Sequence, residues 1–140
     1  MKKWLALSGA LAAVVLAYAV GRGDDSPFAD SSAVFAQLHA DTTGAVAAPV
    51  MHAPVGDVLA VYVGKTSREL YTNEDQLLIV LSGHGNATVG YPSYSLQPGS
   101  VLSIPRDTAF QITATGKAPL KAYVIASPHD DPNNKRVLEP

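Results

Sequence analysis

The strongest constraint on the fold is a series of short apolar segments, separated by turns that contain Gly or Pro, between residues 58 and 128. In chain order the segments read VLAVYV, QLLIVL, NATV, YSL, VLSI, FQI and LKAYVIA. Short strands that recur about every 8–12 residues are typical of sandwiches and barrels. The pattern therefore predicts an all-β domain.

Length, charge and cysteine content limit what this domain can be. The chain has 140 residues, of which about 120 follow the N-terminal segment, enough for one domain that buries roughly two-thirds of its unfolded surface. The net charge is -2 and no basic run stands out, so nucleic acid is not an expected partner. The absence of cysteine excludes disulfides, thiolate metal sites and a cysteine nucleophile.

The N-terminus has the pattern of an export segment. Lys2 and Lys3 precede a mostly apolar run over residues 4–21. One interpretation is a signal peptide cleaved near Ala19, within the small-x-small sequence Ala17-Tyr18-Ala19, which would leave a periplasmic or secreted protein. The alternative is an uncleaved anchor with the barrel outside the cytoplasmic membrane, because 18 helical residues span about 27 Å.

The sequence divides into four regions. A short amphipathic helix of about ten residues is predicted around Ala33–Leu38, with Asp30, Ser31 or Ser32 as its N-cap. Residues 42–54 are interpreted as an irregular connection or an edge segment, and the tail as a surface strap or a partly disordered end. The predicted regions are a signal peptide or anchor (1–20), a linker with the helix (21–55), the barrel (56–128) and a polar tail (129–140).

Several turn motifs within the strands resemble those of the cupin family. Gly83 and Gly85 match the family's G-x-G, Pro98-Gly99 matches its Pro-Gly turn, and Ile104-Pro105 matches the end of its second-motif strand. The resemblance implies a single cupin-type β-barrel, also described as a double-stranded β-helix or jelly roll. Because cupin-like barrels commonly pair edge to edge, it also implies a homodimer.

The same resemblance indicates that the family's metal-binding residues are replaced. The family's glutamate corresponds to Gln76 and its second-motif histidine to Phe110. Its two first-motif histidines correspond to Leu70 and Thr72, or to Glu69 and Tyr71 if the loop is one residue longer. A transition-metal site needs imidazole and carboxylate donors, so no metal and no cofactor are expected.

Five residues are therefore candidates for lining a ligand cavity rather than a metal site: Glu69, Tyr71, Gln76, Leu78 and Phe110. Strand alternation predicts that Gln76 faces inward, either to bind a ligand or to pair with a backbone group or water. Glu69 and Tyr71 are interpreted as a polar mouth or as a solvated loop. Phe110 is predicted to plug the space that a metal would take.

The histidines do not suggest a further site. His84, between two glycines, is interpreted as a surface residue. His39, His52 and His129 are scattered, without the spacing of a metal-binding or catalytic motif.

The favoured function is therefore non-enzymatic. We expect an exported, metal-free cupin that binds a small molecule or serves as an accessory or structural subunit of a membrane complex in the cell envelope. The alternative is a metal-independent epimerase, lyase or isomerase acting on a sugar or small acid, with Glu69 and Tyr71 as acid and base.

Overall fold

The computed structural model describes residues 26–40 and 42–138. The predicted N-terminal apolar segment lies outside these residues, and no helix within them is long and apolar enough to cross a membrane. The elements are helix α1 (Ser31–Gln37), strands β1 (Ala45–Ala53), β2 (Gly56–Val63), β3 (Glu69–Tyr71), β4 (Asp75–Ser82), β5 (His84–Val89), β6 (Ser93–Leu96), β7 (Val101–Ile104), β8 (Phe110–Thr115) and β9 (Leu120–Ser127), a 3-10 turn (Pro132–Asn134) and strand β10 (Lys135–Val137).

Two five-stranded antiparallel sheets face each other and enclose the core. The first sheet has the order β1-β2-β9-β4-β7, and the second has the order β10-β3-β8-β5-β6. Alternate residues of each strand point inward, which is clearest in β9. This architecture confirms the predicted all-β barrel. The largest aliphatic side chains buried in it are Leu59, Val61, Val63, Leu78, Val80, Leu96, Leu102, Ile104, Ile112, Leu120 and Val124.

Strand β2 is buried on both faces, as its continuous apolar sequence predicts. Leu59 and Val61 face the barrel core, whereas Ala60 faces outward and packs against Phe35 and Leu38 at helix α1. The helix is therefore held on the outside of the first sheet by a small second core. This packing explains why a helix of only seven residues is stable here.

The N-cap of α1 is Asp30, one of the three predicted candidates. Its Oδ1 accepts a hydrogen bond of 3.0 Å from the backbone amide of Ser32, which would otherwise lack a partner at the helix start. At the same end, the Ser31 hydroxyl lies 2.5 Å from the Tyr123 hydroxyl on β9. The cap and this contact fix the helix on the sheet.

The G-x-G motif has a packing reason. A Cβ atom on Gly85 would lie 2.5 Å from the Thr113 carbonyl oxygen and 3.0 Å from the Leu120 side chain. The distance to the backbone oxygen is too short for any Cβ, so β5 and β8 can approach each other this closely only with glycine at this position.

The barrel extends beyond the predicted range of 56–128 at both ends. Residues Ala45–Ala53 form the edge strand β1, which pairs with β2, so the edge interpretation of this segment is the correct one. At the other end, residues 129–138 run across one end of the barrel, and Lys135–Val137 pair with β3 as strand β10. We call residues 129–138 the C-terminal strap. The described part of the predicted polar tail is thus an integral part of the second sheet.

Candidate functional site

The burial of strand β3 distinguishes the two pairs of residues that could correspond to the family's first-motif histidines. Glu69 and Tyr71 are 0% and 1% exposed, and Leu70 between them is only partly buried. Glu69 also pairs directly with Phe110 on β8. Glu69 and Tyr71 therefore face the barrel interior. The solvated-loop interpretation of these two residues is wrong, because both side chains are buried and the strap covers β3 at the sheet edge. Their role in lining a ligand cavity stays a prediction.

Phe110 is fully buried beside Tyr71. The two rings lie nearly parallel, with an interplanar angle of 13° and centroids 5.9 Å apart. Phe110 is thus part of the hydrophobic core, as its predicted role as a plug requires. Leu78, the fifth candidate, is equally buried and belongs to the same apolar core.

Gln76 lies on the inner face of β4 and is 2% exposed. Its Nε2 donates a hydrogen bond of 2.6 Å to Oε2 of Glu74, a buried residue that the sequence analysis did not single out. The side chains at the family's four metal-ligand positions are thus a carboxyl, a phenol, an amide and a phenyl ring. Without an imidazole, and with Phe110 unable to ligate, this set does not fit the family's transition-metal centre.

The C-terminal strap is attached to this end of the barrel through Glu74 and Asn134. Oε1 of Glu74 accepts hydrogen bonds from the Asp131 backbone amide (2.9 Å) and from Nδ2 of Asn134 (3.1 Å). Oδ1 of Asn134 accepts from the backbone amides of Thr72 (2.8 Å) and Asn73 (2.7 Å). The buried Asn134 side chain therefore joins the strap to the loop between β3 and β4.

Burial changes the ionisation of the acidic groups here. Burial raises the pKa of the Glu74 carboxyl, and its hydrogen bonds with Gln76, Asp131 and Asn134 partly offset this effect. Burial, followed by repulsion from Glu74, Asp57 and Asp131, raises the pKa of Asp130 to about 7. The Asp130 carboxyl is therefore partly protonated near neutral pH.

Tyr71 is neutral at this end of the barrel. Burial is the main cause that raises the pKa of its phenol well above 10, and the carboxyls of Glu69, Glu74 and Asp130 add to the effect. The Gln76 amide acts in the opposite direction. Nevertheless, the Tyr71 hydroxyl and the Gln76 Oε1 atom form no hydrogen bond of ordinary geometry, either with each other or with another described residue. Among the described residues, Asp130 Oδ1 is likewise buried without a hydrogen bond of ordinary geometry.

A second polar cluster lies at the same end of the first sheet. In the strand register, Asp57 lies opposite His52 on β1 and opposite Ala126 on β9. On its other side, Ala126 lies opposite Gln76 on β4. Asp57 and Gln76 therefore lie in one row of the sheet, two strands and about 10 Å apart. The strap brings His129 to the other side of Asp57, where its Nδ1 lies 3.3 Å from Oδ1 of Asp57.

His52 and His129 are scattered in the sequence, but the fold brings them together, so the interpretation that they form no cluster is wrong. Asp57 Oδ1 lies within hydrogen-bonding distance of both rings. His52 and Asp57 flank a tight hairpin, which is a recognisable local signal, but His129 is 72 residues away from Asp57 and joins them only through the fold. The exposed position of His84 is confirmed.

Comparisons with known proteins agree with this architecture. Residues 58–126, about half of the chain, match the family model described as a cupin domain. Curated protein sequences offer no match to this chain.

Among solved structures, three similar ones carry cupin-type barrels of different origin. Streptomyces PAC13 with uridine is 13% identical, the match covers 62% of this chain and 70% of that chain, and the TM-score is 0.55. KdgF from Halomonas sp. is 18% identical over 59% of this chain and 77% of its own, with a TM-score of 0.53. The capsular polysaccharide assembling protein CapF from Staphylococcus aureus is 16% identical over 74% of this chain and 32% of its own, with a TM-score of 0.61.

At these identities the solved structures establish the fold alone. The matched range contains the turn motifs and the inward-facing residues described above, and the described barrel has the corresponding strands. Together, the family match and the structural neighbours show that this chain belongs to the cupin superfamily.

Proposed function

We propose that this protein is a metal-independent cupin that binds a neutral, hydroxyl-rich small molecule at the strap-covered end of its barrel. The observation that carries the proposal is the pair of buried polar atoms, Tyr71 Oη and Gln76 Oε1: the Gln76 amide lies close enough to the phenol to lower its pKa, yet neither atom makes a hydrogen bond of ordinary geometry within the described protein. An unpaired buried polar group costs about 1–3 kcal/mol, which a ligand hydroxyl can recover by accepting from one and donating to the other.

The charges around these two atoms favour a neutral ligand. Glu69, Glu74 and Asp130 all act on Tyr71, and each raises its pKa through repulsion of the phenolate. A carboxylate or phosphate ligand would meet the same repulsion. The sequence suggests two classes of ligand, a sugar or a small acid. Of these, a sugar-like compound is therefore the better fit.

The ligand would enter when the C-terminal strap opens. Tyr71 and Gln76 are almost wholly buried, and the strap is held over them by the Glu74 and Asn134 hydrogen bonds. A few hydrogen bonds on a short edge segment open at far lower free energy than the barrel core does. The strap would thus act as the lid of the site.

Native mass spectrometry of the full chain, purified gently from its own host, is the first test. We expect a bound compound of small mass. Thermal unfolding with neutral monosaccharides and with nucleosides such as uridine, a ligand seen with the similar Streptomyces protein, then tests the class. A ligand at 100 times its Kd stabilises the folded state by about 2.7 kcal/mol. Small carboxylic acids should give no shift.

Two conservative variants make the test specific to the site. Tyr71→Phe and Gln76→Leu remove the two unpaired atoms, whereas Tyr94→Phe and Gln97→Leu alter exposed residues of the same types. The first pair should lose the ligand-induced shift and the second pair should keep it. Equal shifts in all four variants would contradict the proposed site.

A metal-independent enzyme is the second candidate, favoured by the closeness of the Tyr71 phenol to the Glu69 and Glu74 carboxyls. A raised carboxyl pKa suits a general acid near neutral pH. One structural neighbour is described as a nucleoside dehydratase, which adds a reaction class to test. Turnover that persists with a chelator and disappears in Glu69→Gln or Tyr71→Phe would favour this candidate over simple binding.

We further propose that the protein acts outside the cytoplasmic membrane as a homodimer or an accessory subunit. The export pattern of residues 4–21 supports the location, and either a mature N-terminus after Ala19 or an intact anchor in the membrane fraction would agree with it. For pairing, Leu77 and Val101 leave an exposed apolar patch on the outer face of β4 and β7. Val101→Lys should reduce the mass measured by light scattering, whereas Val55→Lys, on an exposed hairpin turn, should not.

A further inference from the structure

Three side chains, two from the β1–β2 hairpin and one from the C-terminal strap, lie close together at the strap-covered end of the barrel. His52 lies on β1, Asp57 on β2 and His129 at the start of the C-terminal strap. One ligand atom from each can be chosen so that all three lie within 4.8 Å of one another. The Nδ1 atoms of His52 and His129 are 2.5 Å and 3.3 Å from Oδ1 of Asp57.

We propose that His52, Asp57 and His129 bind a divalent transition-metal ion of the zinc type. Two imidazoles and one carboxylate are a common three-residue donor set for such ions, with the remaining position open to water. Metal–ligand bonds of about 2.0–2.2 Å require donor atoms about 3–3.5 Å apart. The His129 distance of 3.3 Å already lies in this range, whereas His52, at 2.5 Å from Asp57 Oδ1, must move outward when the ion binds.

The environment of each ligand suits this role. The two imidazole rings are stacked, with centroids 4.6 Å apart and an angle of 24°, and both lie against Asp57. To bind one ion, the rings turn out of this stack so that both Nδ1 lone pairs point at the same position. Both side chains are about half exposed, which lets Nε2 carry the proton in water while Nδ1 offers its lone pair. Solvent can occupy the open coordination position from the same side.

Asp57 is the fixed member of the set. Its side chain is only 12% exposed, and Oδ2 accepts a hydrogen bond of 2.8 Å from the Asp130 backbone amide. Such an outer contact orients a carboxylate ligand and leaves Oδ1 available.

This site is distinct from the one that metal-binding cupins use. The family's glutamate position is Gln76, which lies on the far side of β9 from Asp57, about 10 Å away along the same row. An ion on the three ligands would instead join the β1–β2 hairpin to the first residue of the strap. Its consequence is therefore structural: the bound metal holds the strap over the barrel end.

The test uses zinc alone as the probe on the full chain, purified with a tag that contains no histidine. We expect titration calorimetry to show one Zn²⁺ per chain, and Co²⁺ to give the visible absorption of a low-symmetry site. His52→Gln and His129→Gln should each weaken binding at least tenfold, since even the loss of an outer-shell partner costs 10–100-fold. Both residues are exposed, so these variants should fold.

Matched controls separate this site from non-specific binding. His39→Gln and His84→Gln change the two other histidines, which are also exposed, and should leave zinc binding unaltered. Zinc should also slow hydrogen exchange of β10 in the wild type but not in His129→Gln. The proposal is overturned if no zinc binds, if all four histidine variants lose affinity equally, or if His52→Gln and His129→Gln bind as the wild type does.

These outcomes are independent of the proposed ligand site. Failure of zinc binding would leave the pairing of Tyr71 and Gln76 with a small molecule untouched. Zinc binding that depends on Glu69 or Glu74 instead of the histidines would overturn the inference and would also contradict the metal-independent interior.

Discussion

Replacement of Asn134 by alanine should release the C-terminal strap. Its side chain is 6% exposed and accepts from two backbone amides, those of Thr72 and Asn73, while donating to Glu74. Each such hydrogen bond contributes about 0.5–1.5 kcal/mol net, and Glu74 would keep fewer partners for its buried oxygens. We therefore expect a loss of about 2–4 kcal/mol in the stability of the strap.

Two assays can register this loss. If the strap unfolds together with the barrel, urea denaturation should show the full difference and Tm should fall by about 6–15 °C. If the strap opens first, global stability should change little, but hydrogen exchange of the β10 amides should accelerate about 30- to 700-fold.

The neighbouring asparagine provides the control. Asn133 is exposed, and the hydrogen bond described for it uses its backbone amide rather than its side chain. Asn133→Ala should therefore leave both measurements near the wild-type values. If Asn134→Ala matches Asn133→Ala in urea and in hydrogen exchange, the reasoning that the Asn134 side chain holds the strap is refuted.

Three further changes test the barrel and its acidic end. Burial raises the pKa of Asp130 from 3.8 to about 7. Between these pH values the folded protein keeps a proton on Asp130 that the unfolded chain releases. The free energy of unfolding should therefore fall as pH rises from about 4 to 7, by at most about 4 kcal/mol. Asp130→Asn should flatten this slope in urea midpoints taken at pH 5 and pH 8; an unchanged slope would rule out Asp130 as its source. Phe110→Ala should cost about 3–5 kcal/mol in urea unfolding, because the ring is fully buried, whereas Tyr91→Ala, at 95% exposure, should cost almost nothing. Gly85→Ala should lower Tm, because its Cβ would lie 2.5 Å from the Thr113 carbonyl oxygen; a wild-type Tm would show that the strands can move apart freely.

Local sequence patterns were sufficient to predict the barrel. Alternation and turn residues act within a few positions, so strands such as 76–81 and 101–104 could be read from the chain itself. Where the local signal is weak, the prediction was incomplete: β1 contains alanines and two prolines nearby, and β10 is a short polar segment that is a strand because β3 offers it an edge.

The interior residues were predicted in part. Strand alternation is sufficient to predict that Gln76 faces inward. The family resemblance is sufficient to predict that Phe110 lies in the interior. Glu74, Asn134 and Asp130 were missed because they lie in loops or in the strap, where no periodicity indicates direction. Their burial results from contacts between segments about 60 residues apart, such as the hydrogen bond between Glu74 and Asn134.

By itself, the sequence determined the all-β barrel and the family, because residue identities and local periodicity are sufficient for these conclusions. The tertiary structure alone decided that Glu69 and Tyr71 face the interior, that the strap covers them, and that His129 meets His52 and Asp57. A one-residue change of register reverses which side chains face inward, and the approach of distant segments depends on the closure of the whole barrel. Both are properties of the folded chain rather than of any single segment.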